Sequence, residues 1–194
     1  LFINLFYNLT VEQTVKIKSK ITLKPSRLGK KYYVKTFGCQ MNEHDSERIS
    51  GLFELDGMQK AESEDNADIL FVNTCTIREN ADDKLYGTLG QLKKWKLQSE
   101  NRKLLVGGCA AQKDKNLVRD KAPWVDVVIG THNLTNIINL LNQSEDWGPV
   151  TEIIDEIEQL PTDAPSIRES EYSAWLTIQI GCNNSCTFCI VPSV

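Results

Sequence analysis

The chain has 194 residues, of which 41% are hydrophobic and 25% charged, and its formal net charge is -4. That length allows one domain with its own core, or one domain and part of a second, and the composition is ordinary for a soluble globular protein. The acidic balance does not exclude a nucleic-acid partner, because residues 140–171 hold nine of the acids against Arg168 alone, leaving residues 1–139 at +4.

The opening LFINLFYNL is too short to span a bilayer and lacks a basic lead-in and a small-residue cleavage site. It is neither a signal peptide nor an anchor, so no membrane association is expected and the protein is placed in the cytoplasm. Residues 1–30 carry Lys16, Lys18, Lys20, Lys24, Arg27 and Lys30 against Glu12. A basic arm would suit RNA phosphates, whereas the plainer expectation is a leader without fixed structure. The chain begins at Leu1 and stops within an apolar stretch, which reads as a piece of a longer protein.

From Lys31 onward strands and helices alternate. YYVKTF is β-rich, and NEHDSERISGLFELDG follows with Asn42 and Asp45 as start signals, Ile49, Leu52 and Phe53 at helical spacing, and a stop near Gly57. ADILFVNTC reads as a buried strand, and ENADDKLYGTLGQLKKWK as a helix with Leu85, Leu89 and Leu92 inward. RKLLVGGC is a third strand, followed by one helix over AAQKDKNLVRDK that ends before Pro123. VDVVIG is a fourth strand, and NLTNIINLLN a helix with Leu134, Ile137, Ile138 and Leu141 inward.

This alternation predicts right-handed βαβ units and an α/β fold: a doubly wound parallel sheet, flavodoxin-like or Rossmann-like, over residues 31–142. Residues 143–173 are acidic, contain three prolines and read as a linker, although VTEIID could form a short strand. AWLTIQIGC begins a new strand within a last segment, 174–194.

Six cysteines without a secretion signal point to metal or catalytic thiols rather than disulfides. Three of them end successive strands: VKTFGC at Cys39, LFVNTC at Cys75 and LLVGGC at Cys109. In an open parallel sheet these ends emerge on the ligand-binding edge, where helix N-termini favour the thiolate. Any one of them is more often a small buried hydrophobe, but the three together imply a shared metal or cluster. Gly38, Gly107 and Gly108 would let the backbone approach it, or simply turn tightly. There is no Walker loop, and no G-x-G-x-x-G follows a strand.

The other three, Cys182, Cys186 and Cys189, are spaced C-x3-C-x2-C with Phe188 before the last. One short loop of this kind can bind three irons of a 4Fe-4S cluster and leave the fourth open. Zinc is the alternative, but it asks for four ligands, and neither a His nor a fourth Cys is nearby. His44 and His132, the only histidines, are expected in turns or on the surface.

With C-x3-C-x-aromatic-C after a new strand, the segment 174–194 resembles the start of a radical S-adenosylmethionine barrel. Residues 32–194 resemble the methylthiotransferases, in which a three-cysteine domain precedes that barrel. The similarity rests on TFGCQMNEHDSER (36–48), NTCTIRENADDKLYGTLG (73–90), GGCAAQ (107–112) and GCNNSCTFCIVP (181–192). Within the family the chain is most similar to the MiaB-type tRNA enzymes. Gln40, Met41 and Asn42 stand where relatives acting on a ribosomal protein tend to have Pro-Lys-Asn, and those acting on threonylcarbamoyl-adenosine Lys-Val-Asn.

The resemblance implies methylthiolation at C2 of N6-isopentenyladenosine, beside the anticodon of tRNA. It implies two 4Fe-4S clusters, one on Cys182, Cys186 and Cys189 that cleaves S-adenosyl-L-methionine, and an auxiliary one on Cys39, Cys75 and Cys109 implicated in sulfur delivery. Implied partners are isopentenylated tRNA, an electron donor such as a flavodoxin or ferredoxin, and a sulfur donor of unknown identity; the protein is expected to be a monomer. The remaining barrel and the RNA-binding domain of the family are not in the sequence, so this chain alone should be inactive. The alternatives are a sibling methylthiotransferase with one of the other two substrates, and a non-catalytic iron-sulfur or zinc module.

Overall fold

The computed structural model describes residues 26–76, 81–155, 165–168, 170–179, 181–187, 189 and 191. Six strands form one sheet: β1 (Lys31–Thr36), β2 (Gln59–Lys60), β3 (Ile69–Thr74), β4 (Lys103–Gly108), β5 (Val127–Ile129) and β6 (Val150–Glu152). Their order is β2-β1-β3-β4-β5-β6, and every neighbouring pair is parallel. This is the flavodoxin-like winding, in which the order reverses between β1 and β3. The connecting helices are α1 (Gln40–Leu55), α2 (Ala81–Leu97), α3 (Cys109–Asp114), α4 (Leu117–Lys121) and α5 (Ile137–Trp147).

Both faces of the sheet are covered, which explains why its strands read as unbroken apolar runs. All six residues of β3 are buried. Ile69 and Phe71 point to one side, where Ile49, Leu52 and Phe53 of α1 meet Ile137, Ile138 and Leu141 of α5. Leu70 and Val72 point to the other, against Leu85, Leu89 and Leu92 of α2 with Ala110, Ala111 and Val118. Burying side chains of this size stabilises by roughly 1.5–3 kcal/mol each.

Several elements depart from the periodicity. The helix expected over AAQKDKNLVRDK is two short helices, because Lys115 adopts a left-handed φ of 50° and the chain bends there. Tertiary contacts hold the bend: the Tyr86 hydroxyl donates to Asp114 at 2.5 Å, and Lys115 Nζ lies 2.8 Å from Asp155. α5 begins at Ile137, after a 3₁₀ turn over Thr131–Asn136, and continues to Trp147. The chain then returns as β6 within the segment read as linker, pairing Val128 with Thr151.

Of the expected leader, residues 1–25 lie outside the described residues. Ser26 is exposed but hydrogen-bonded to Asp56, and Arg27 is buried. The Arg27 guanidinium is only 6% exposed, with Nη1 2.6 Å from Asp56 and Nη2 2.7 Å from Glu145. This ties the approach to β1 both to the end of α1 and to α5. Residues 165–168 cross α1, where the Ile167 amide donates to the Glu47 carbonyl at 3.0 Å and Pro165 lies against Gly51. No helix among the described residues is long and apolar enough to cross a membrane.

Candidate metal centre

β1, β3 and β4 are adjacent, and each delivers a cysteine at its C-terminal end. Pairing of Thr36 with Asn73, and of Thr74 with Gly108, puts the three ends level. Cys39 occupies the N-cap of α1, Cys75 follows β3 in a buried position, and Cys109 is the first residue of α3. The helix therefore has its cap three residues earlier than Asn42 suggested. Asn42 lies in its first turn, and its Oδ1 accepts from the Cys39 amide at 3.3 Å.

The turns pack against one another at two left-handed glycines. At Gly38, φ 139°, a Cβ would lie 2.5 Å from the Cys75 Cβ, so Cys75 occupies the space a side chain would need. At Gly108, φ 91°, it would meet the Thr74 carbonyl oxygen and the Asn73 amide oxygen. Glycine is required at both by conformation and by space.

Electrostatics report the same convergence. Burial pushes the Cys109 thiol up to about 12, and the neighbouring Cys75 and Cys39 add to this, followed by Asp45. Each negative charge there would disfavour the next, and a bound cation reverses the balance by taking the thiolates directly. The donor set, three thiols on rigid strand ends, fits an iron-sulfur group in which each thiolate binds its own iron. Among the described residues, no three His, Cys, Asp or Glu are drawn together tightly enough to hold one metal ion.

Cys182, Cys186 and Cys189 are placed differently. Cys182 is half-buried and the other two exposed; the Cys189 amide donates to the Cys186 carbonyl at 3.2 Å, and Asn184 Nδ2 to the Cys182 sulfur at 3.4 Å. Their turn is local, and they are not among the groups acting on Cys109. Phe188 lies outside the described residues. The strand expected over AWLTIQIGC has no ladder among the described residues, and its Leu176 and Ile178 stand 82% and 87% exposed.

His44, expected in a turn or on the surface, is instead buried in α1, with Nδ1 3.3 Å from the Thr177 hydroxyl. Burial, aided by Arg48, lowers its pKa despite Glu47. His132 is half-buried in the 3₁₀ turn, its pKa lowered by burial against Asp155 and a backbone bond at Ile154.

Three polar residues lie beside the thiols, of which the sequence marks Asn42 and Asp45 only as helix start signals and Asn73 only as part of a buried strand. Asn42 and Asn73 are each 1% exposed. Asp45 is held up at about 7 by burial, against the pull of Arg48 4.0 Å away. The signal was the amide in the otherwise apolar run LFVNTC, and the polar cluster immediately after Cys39.

The architecture defines an open parallel α/β domain whose strand C-terminal edge, at the reversal of strand order, is lined with cysteine. The chain belongs to the family described as Uncharacterized protein family UPF0004, whose model matches residues 31–130. It is 49% identical over 185 residues to the tRNA-2-methylthio-N(6)-dimethylallyladenosine synthase of Corynebacterium urealyticum, which covers 95% of this chain and 34% of that protein. The enzymes of the same name from Corynebacterium efficiens and Mycobacterium leprae are 54% identical over 164 residues and 51% over 167, each covering 84% of this chain and 31% and 32% of theirs. The chain spans about a third of the length of the curated relatives it matches.

Proposed function

We propose that the chain is the cluster-bearing N-terminal part of a tRNA methylthiotransferase acting at C2 of N6-isopentenyladenosine, the base whose side chain the relatives' names call dimethylallyl. The observation that carries this reading is the set of three thiols on adjacent strand ends at the sheet's reversal point. The near-half identity to enzymes of that name supports it.

In this reading Cys39, Cys75 and Cys109 hold an auxiliary 4Fe-4S cluster, and Cys182, Cys186 and Cys189 hold another that also takes S-adenosyl-L-methionine. When bound, these groups supply the electron that opens S-adenosyl-L-methionine and the sulfur to be transferred. The protein's own part at the first site is to fix three thiolates on strands that cannot shift without breaking the sheet. Cys75 is buried there, while Cys39 and Cys109 are half-buried. At the second site a short loop brings the thiols together by chain proximity alone. The partners follow: isopentenylated tRNA, a one-electron donor of the flavodoxin or ferredoxin kind, and a sulfur donor, all in the cytoplasm, with the protein acting as a monomer.

The test has two parts. Anaerobic reconstitution should load two clusters, one lost on Cys182→Ala and the other on Cys75→Ala; stoichiometric zinc without acid-labile sulfide would sink the cluster assignment. The full-length protein should restore the 2-methylthio group on isopentenylated tRNA in cells lacking their own enzyme, read by mass spectrometry of tRNA nucleosides. Restoration on threonylcarbamoyl-adenosine or on a ribosomal protein instead refutes the substrate.

A further inference from the structure

The three ligand turns belong to three different βα connections, and two carboxamides join them. Asn42 Nδ2 donates to Asn73 Oδ1 at 2.9 Å and to the Thr74 carbonyl at 3.2 Å. Asn73 Nδ2 answers with the Asn42 carbonyl at 2.8 Å and the Ser46 hydroxyl at 2.9 Å. Ser46 in turn meets the Thr36 hydroxyl at 2.8 Å, at the end of β1. On the other side the Thr74 hydroxyl donates to the Gly107 carbonyl at 3.2 Å, and Asn73 Oδ1 packs on Gly108. The bridge thus reaches the turns of Cys39, Cys75 and Cys109.

Both amides use both of their donors, and Asn42 Oδ1 accepts from the Cys39 amide and, at 3.6 Å, from the Cys39 thiol, a bond whose proton leaves once the sulfur binds metal. Burying two carboxamides costs stability unless every bond is made, and an apolar pair in the same place would hold a sheet together with less demand on geometry. What the amides supply and an apolar pair cannot is a directional lock between turns, together with a polar contact to one sulfur.

We propose that Asn42 and Asn73 are positioning residues for the Cys39, Cys75 and Cys109 site, setting the three thiols before metal arrives, with Asn42 also tuning the group bound there through the Cys39 sulfur. This rests on reading those cysteines as cluster ligands. Outer-shell partners of metal ligands carry roughly 10–100-fold of affinity.

The test uses the full-length protein with Cys182, Cys186 and Cys189 replaced by Ala, so that iron and sulfide load only the first site. Asn42→Asp and Asn73→Leu are compared with this parent for iron retention against a chelator, the metal-free melting temperature, and the midpoint potential followed by electron paramagnetic resonance. Both variants should lose iron roughly 10–100-fold more readily. Asn42→Asp, which sets a carboxylate against the sulfur, should also move the potential to more negative values, and Asn73→Leu should not. Folded variants that match the parent in retention and potential overturn the proposal, as does a lower melting temperature with both readings unchanged. A parent that takes up no iron and sulfide overturns the cluster assignment and this proposal with it.

Discussion

Cys39, Cys75 and Cys109 are far apart in sequence and brought together by a sheet; Cys182, Cys186 and Cys189 are close in sequence and brought together by little else. At the first site each thiol sits at the end of a strand whose neighbours fix it, and two glycines admit the close approach of the turns. At the second, the hydrogen bonds are local and two of the three thiols are exposed. The difference teaches what each site depends on. The first stands or falls with the domain core, whereas the second depends on little beyond its own short loop.

The strongest way to break the contrast is through the core. Phe71 is fully buried in β3 and touches the position of Gly107. Phe71→Ala should cost about 3–5 kcal/mol in urea unfolding, and alkylation should speed up at Cys39, Cys75 and Cys109 with no change at Cys186 and Cys189. Without any mutation, alkylation of the metal-free chain at neutral pH already sharpens it. Cys109, pushed up to about 12 by burial and its neighbours, should react roughly 10³-fold more slowly than an ordinary exposed thiol, as peptide mass spectrometry would show.

Asp45 gives a pH signature confined to the first region. Its folded pKa, about 7, lies above its unfolded value, so its contribution to stability is complete below about pH 4 and is lost as pH rises through 7. Melting temperature should therefore decline over that window by an amount worth a few kcal/mol at most, and Asp45→Asn should flatten the decline. The smallest effect belongs to the other region. Ile178→Ser, at a site 87% exposed, should change stability by less than about 0.5 kcal/mol, and a larger loss would show that 174–179 packs more firmly than its exposure indicates.

The βα alternation and the placement of Cys39, Cys75 and Cys109 at strand ends were legible because both are local patterns: period, glycine turns and a cysteine closing each apolar run. β2 was not, since a two-residue strand has no period and exists only because Lys31 and Tyr32 offer it an edge. Nor was the bend at Lys115, which Tyr86 and Asp155 hold from distant parts of the chain. Arg27 looked like one base among six in a leader; its role depends on Asp56 and Glu145, which no local pattern connects to it. The Asn42 and Asn73 pair was hidden for the same reason, because a buried amide declares its purpose only when its partner is seen.

The proton on Cys109 also bears on how long the thiol itself survives. The thiolate, and not the thiol, is the nucleophile that attacks peroxide and disulfides, so a sulfur that keeps its proton at neutral pH resists being carried up the oxidation ladder. Under the assignment proposed above, a newly made chain would wait for iron with this ligand intact.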